Sequence, residues 1–136
     1  MEAACRGAAS GGGVVIGIAP AIPESEASKR SANPYQTLVI QTGLDQRARI
    51  PIIVNSCDAM IAINGGAGTR IEVELALRSD KPVIVIANTG GVADEVLQTI
   101  NHPKLFAATG PREAVMRCVE LWPYARAGNG SLSEKT

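Results

Sequence analysis

Asp58-Ala59-Met60-Ile61-Ala62-Ile63-Asn64-Gly65-Gly66-Ala67-Gly68-Thr69-Arg70-Ile71-Glu72 is the stretch on which the fold turns. Ala59 to Ile63 is a short, continuously apolar run, the pattern of a strand buried on both faces of a parallel sheet. Asn64-Gly65-Gly66-Ala67-Gly68 turns the chain. Thr69 to Ser79 then reads as a helix. A buried strand, a glycine-rich turn and a helix in that order form one half of a strand–helix–strand unit.

Strands and helices continue on either side, without an internal repeat. Downstream, Pro82 to Ala87 is a second apolar strand, Gly90-Gly91 a turn and Val92 to Ile100 a helix. Leu105 to Ala108 is a short last strand, and Pro111 opens a last helix from its first position, where a missing N–H costs nothing. Val115, Cys118, Val119 and Trp122 follow i, i+3, i+4, i+7 spacing and are expected to form its buried stripe. After Pro123 the chain, residues 124–136, is small and polar and is expected to be a disordered tail.

Upstream, the alanine-rich segment Met1 to Ala9 suits a helix ended by Gly11-Gly12-Gly13. Val14 to Ile18 and Leu38 to Ile40 are strands, the second closed by Thr42-Gly43. Pro20 to Pro34 reads as a loop. Asp45 to Cys57 can be helical, but Pro51 is tolerated only in a first turn, so the regular part starts near Arg49 or Ile50. The expectation is one α/β domain over residues 1–123, a Rossmann-like three-layer α/β/α arrangement with a mostly parallel sheet. Its ligand loops are those at the carboxyl ends of strands, after Ile18, Ile40, Ile63 and Ala87.

Composition narrows the function. Formal net charge is zero over 136 residues, so no global field draws nucleic acid or anionic lipid. Aromatics are 3%, too few for base-stacking platforms. The longest apolar runs are about six residues, against the ~20 of a membrane helix, and Met1-Glu2-Ala3-Ala4-Cys5-Arg6 lacks the apolar core of a signal peptide. Cys5, Cys57 and Cys118 are too dispersed for C-x-x-C chemistry and read as reduced packing thiols of a cytoplasmic protein. The single histidine, His102, sits in a turn-like Asn-His-Pro and argues against a zinc site or a Ser-His-Asp triad. No metal site is expected.

The glycine turn carries the chemistry. Free backbone N–H groups at a helix N-terminus, with the positive end of the helix dipole, favour an anion such as phosphate. Gly65, Gly66 and Gly68 let a ligand approach the backbone, and the Thr69 hydroxyl adds a donor. The turn lacks both the Gly-Lys-Ser/Thr ending of a P-loop and G-x-G-x-x-G spacing. Thr69-x-x-Glu72 also fits a capping box, in which Glu72 would bond back to the Thr69 backbone. Spacing alone leaves phosphate binding and simple capping both open.

Gly65-Gly66-Ala67-Gly68-Thr69-Arg70-Ile71-Glu72 resembles the PGGxGTxxE motif of the LOG family, formerly described as lysine decarboxylase-like, within the SLOG superfamily. The run from Asp58 to Ile86, with Ala32-Asn33-Pro34-Tyr35 and Thr42-Gly43-Leu44, looks most like the branch that contains the molybdenum cofactor carrier proteins. Asn64 stands where the motif has proline. The resemblance implies a binder of a nucleotide or phosphorylated cofactor, with a nucleotide or molybdopterin-type ligand and no required cofactor. Its alternative is a nucleoside 5′-monophosphate phosphoribohydrolase that releases free base and ribose 5-phosphate. By the match Glu72 falls on the catalytic carboxylate and Arg49 on the catalytic arginine. A carboxylate suits an oxocarbenium-like ribose carbon, and an arginine can clamp phosphate or orient the carboxylate. The resemblance further implies a homodimer or larger homo-oligomer. It also implies that a strand, a helix and a second strand precede the Met1 helix in the family. The chain is therefore expected to be N-terminally incomplete, with the two absent strands separating the Val14 strand from the Leu38 strand.

Overall fold

The computed structural model describes residues 1–21 and 33–127. Most of the loop expected over Pro20 to Pro34, and residues 128–136 of the expected tail, lie outside the described residues. The elements are α1 (Glu2–Ser10), β1 (Ile16–Ala19), β2 (Leu38–Gln41), α2 (Ile50–Asn55), β3 (Met60–Ala62), α3 (Ala67–Arg78), β4 (Val83–Ile86), α4 (Gly91–Thr99), β5 (Leu105–Ala108) and α5 (Pro111–Ala127). Every strand pair is parallel. The fold is α/β and Rossmann-like. The chain divides into two compact units, Met1–Ile52 and Ile53–Thr136.

In the first unit β1 and β2 pair directly, with Ile16 opposite Leu38 and Ile18 opposite Ile40. Among the described residues no further strand lies between them. The pairing is locked by side chains at both ends. The Val15 N–H donates to Thr37 Oγ1 at 3.0 Å, and the Thr42 hydroxyl donates to the Ala19 carbonyl at 2.8 Å. Asp45 accepts the N–H groups of Arg47 and Ala48, each at 2.8 Å, and so shapes the turn into α2. Those two bonds hold its carboxyl below the usual range. Helix α2 then begins at Ile50, which puts Pro51 in its first turn as the sequence requires.

In the second unit the strand order is β3-β4-β5. All four residues of the central strand β4 are buried, which is why Val83-Ile84-Val85-Ile86 reads as an unbroken apolar run. Alternation divides its two faces. Ile84 and Ile86, with Ala108, pack against Ala114 of α5, and Ile61, Phe106, Cys118 and Leu121 complete that layer. Val83, Val85 and Ala62 point the other way and are also buried, on the face packed by α3 and α4, whose Val73, Ala76, Leu77, Val92, Ala93 and Val96 are buried. The layers are therefore α5, sheet, and α3 with α4. Truncating the fully buried Ile84 to alanine costs about 2–5 kcal/mol.

Lys81 enters β4 with its ammonium on three backbone carbonyls at the end of α2: Val54 at 2.6 Å, Cys57 at 2.5 Å and Asn55 at 3.3 Å. A cation there complements the negative helix end. Helix α5, in contrast, corrects the expected stripe. Its inward residues are Ala114, Cys118 and Leu121, while Val115, Val119 and Trp122 are 54%, 64% and 43% exposed. Two apolar stripes lie side by side on this helix, and periodicity does not distinguish the one the sheet covers. The helix also continues past Pro123 to Ala127.

Candidate functional site

The glycine turn leaves the carboxyl end of β3 and enters α3. Asn64 adopts φ +51° and Gly65 φ +93°, so two successive residues are left-handed. The first is tolerable because asparagine is among the few side chains that adopt this conformation readily. Proline, fixed near φ −65°, cannot take it, which accounts physically for Asn64 in place of the motif's proline. At Gly65 a Cβ would run into the Thr69 side chain, so the turn is folded tightly against the first turn of α3.

Helix α3 begins two residues earlier than the sequence suggests. Its N-cap is Gly66, in extended conformation and without a side-chain capping bond. Thr69 therefore lies inside the first turn, and the Thr69-x-x-Glu72 capping box is not formed at this helix end. The first backbone bond of the helix runs from the Arg70 N–H to the Gly66 carbonyl at 3.2 Å. The N–H groups of Gly66, Ala67, Gly68 and Thr69 reach no acceptor among the described residues. Nothing lies within 4 Å of a Cβ built at Gly66 or Gly68. The turn thus presents successive donors with open space before them, at the positive end of a 12-residue helix.

The neighbouring turn, after β4, is joined to it. The Asn64 N–H donates to the Thr89 hydroxyl at 2.9 Å, and the Asn64 amide donates to the Thr89 carbonyl at 2.8 Å. The first N–H groups of α4 are already used: Val92 donates to the Gly65 carbonyl and Ala93 to the Asn64 carbonyl, each at 3.0 Å. Among the described residues two of the opening N–H groups of α4 are taken, whereas none of those of α3 is. Asp94 accepts from Asn88 at 2.7 Å and Gly90 at 2.8 Å and holds the second turn together. The sequence marked both turns as ligand loops. The bonds between them, spanning 25 positions, have no local signal.

Glu72 is half-buried on α3, one turn beyond the glycines. Arg49 lies in the first unit, where its Nη1 donates to the Ile18 carbonyl at 2.7 Å, at the carboxyl end of β1. Its Nε is buried and reaches no partner among the described residues. Gly65, Gly66, Gly68, Thr69 and Glu72 are thus brought together in one unit, and Arg49 belongs to the other. The sequence did not single out Arg70. It bridges α3 to α4 through Glu95 at 3.3 Å and lies 3.6 Å from Glu74.

A wider concavity, about 610 Å³, lies at the start of α5 between Thr109 and Glu120. Two of its charged side chains, Glu113 and Arg117, are tied to each other. Glu113 accepts the Thr109 N–H and hydroxyl at 2.8 and 2.7 Å and pairs with Arg117 at 2.9 Å. These bonds pull the Glu113 carboxyl down to about 2. A carboxylate already occupies that helix end, which makes the glycine turn the better candidate for an anion. Among the described residues no cluster of three or more metal-ligating side chains occurs, and no helix is long and apolar enough to cross a membrane.

Known proteins share this architecture. The structural-genomics target TM1055 superposes with a TM-score of 0.75 at 29% identity, over 88% of this chain and 71% of that one. The molybdenum cofactor binding protein of the phototrophic bacterium Rippkaea orientalis gives 0.71 at 30%, over 89% and 70%. The molybdenum cofactor carrier protein of Chlamydomonas reinhardtii gives 0.67 at 27%, over 89% and 69%. An uncharacterized protein of Archaeoglobus fulgidus is 40% identical over 83 residues, which are 61% of this chain and half the length of that relative. The SLOG cluster4 family model matches residues 1–117, and the chain belongs to that family.

Proposed function

We propose that this protein binds a nucleotide or phosphorylated cofactor, with the ligand's phosphate against the backbone N–H groups of Gly66 to Thr69, in a role like that of the molybdenum cofactor carriers. The observation that carries this reading is the open N-terminus of α3. Four successive N–H groups are unclaimed among the described residues, while at the adjoining end of α4 the Val92 and Ala93 N–H groups are taken by the chain's own carbonyls. Membership in the SLOG cluster4 family and likeness to a molybdenum cofactor binding protein and a molybdenum cofactor carrier protein support the ligand class. The Thr69 hydroxyl adds a donor to the same cradle.

Gly68→Val tests the reading. Its Cβ meets nothing within 4 Å, so the substitution fits the fold and fills only the ligand's space. Calorimetry with AMP should show affinity reduced more than tenfold, about 1.4 kcal/mol. Unchanged affinity in the folded variant would move the phosphate elsewhere.

The hydrolase reading draws on one finding. Because Gly66 caps α3, Glu72 is not the carboxylate of a capping box. It would then be the group that stabilises the oxocarbenium-like carbon and activates water.

A further inference from the structure

We infer that Thr89 is a positioning residue for the anion site, acting through Asn64 and not by touching the ligand; this rests on the phosphate reading above. Its hydroxyl stands between two strand ends. It donates to the Ile86 carbonyl at 2.8 Å, where β4 finishes, and accepts the Asn64 N–H at 2.9 Å, just beyond β3. The last ladder pair between these strands is Ala62 with Val85. The Thr89 hydroxyl therefore carries the connection one step past the sheet, to the residue where the glycine turn begins.

What it holds is the direction of the turn's peptides. Asn64 is left-handed at φ +51° and is kept so from two sides: by Thr89, and by its own Oδ1, which accepts the Gly65 N–H at 2.6 Å. In this conformation the carbonyls of Asn64 and Gly65 point at α4 and are taken by Ala93 and Val92. Carbonyl oxygens facing an anion would repel it, so turning them into α4 removes them from the cradle and leaves only N–H groups outward. Glycine at position 91 is part of the same fit, since a Cβ there would lie 2.5 Å from the Gly65 oxygen and 2.6 Å from Asn64 Oδ1. Asp94 fixes Thr89 in turn, by binding the N–H groups on both sides of it, Asn88 and Gly90. A threonine 25 positions from Asn64 thus sets the donor geometry of a site it does not line.

Thr89→Val keeps the side chain's shape and removes both hydroxyl bonds; Thr89→Ser keeps the bonds, and Thr89→Ala serves should valine disturb folding. Two readouts are taken on each protein: amide hydrogen exchange without ligand, and titration with inorganic phosphate followed at the Gly66–Thr69 amides by NMR. The expected result is exchange at Asn64, Val92 and Ala93 at least tenfold faster in the valine or alanine variant, with Ile84 and Val85 unchanged. The phosphate Kd should rise at least fivefold, and serine should restore both. Unchanged exchange at those three amides, or an unchanged phosphate Kd, would overturn the role given to Thr89. If the wild-type amides show no saturable response to phosphate, the site reading itself falls, and the positioning role with it.

Discussion

Gly65 and Gly68 sit three positions apart in one turn, and the structure gives them opposite fates on substitution by alanine. Gly68 lies inside α3, at ordinary φ, with nothing within 4 Å of a new Cβ. Alanine there removes the entropic penalty of a helical glycine, about 0.5–1 kcal/mol of added stability. Gly65 holds φ +93°, and its Cβ would fall 2.6 Å from Thr69 Cβ and 2.8 Å from Thr69 Cγ2. An L-residue in the left-handed region costs about 1–2 kcal/mol, and overpacking of this kind adds about 1–3. Thr69 Cβ is fixed to the helix backbone and does not swing aside as a flexible tip would. The two variants should therefore differ by about 3 kcal/mol or more, with Gly65→Ala the weaker. With a urea slope of about 1.5 kcal/mol/M, the midpoints should lie about 2 M apart. Equal midpoints for the two alanine variants, or a Gly65→Ala protein as stable as wild type, would refute the described geometry of the turn.

The same structure sets three further outcomes. Glu113 has its folded pKa lowered to about 2 from an ordinary 4.5, so the stability it gives is present above about 4.5 and is lost as pH falls through about 2. Wild type should lose more of its urea midpoint than Glu113→Gln between pH 5 and pH 2; parallel losses would remove Glu113 from the acid transition. Lys81→Met should destabilise the protein by about 1.5–3 kcal/mol, the range for hydrogen bonds to a charged group, because the carbonyls of Val54, Asn55 and Cys57 lose their shared donor. A thermal midpoint within about a degree of wild type would contradict this. Glu72→Gln should abolish any release of free base from AMP with little change in melting temperature, and an active glutamine variant would remove the hydrolase reading.

The strands were the most legible part of the sequence, each being a short apolar run, although only the central strand β4 is buried along its whole length. Leu105–Ala108 was readable to the residue, and Pro51 correctly placed the start of α2. The glycine turn was legible as the passage from a strand to a helix, while spacing alone left phosphate binding and simple capping both open. Three things were not. The α5 stripe went to the wrong neighbour, since Ala114 is small and Val115 is apolar, and burial goes to the residue the sheet faces. The start of α3 was placed at Thr69, because threonine is a strong cap and Gly66 a weak one. The tie between Asn64 and Thr89 depends on two turns meeting in space, and nothing in either turn announces the other.

The most direct test of the central claim is a crystal structure of the protein with AMP. The phosphate oxygens should accept from the N–H groups of Gly66 to Thr69 at about 2.7–3.2 Å, with the carbonyls of Asn64 and Gly65 still turned to α4. A phosphate held in the concavity between Thr109 and Glu120 instead, with the glycine turn empty, would contradict the account.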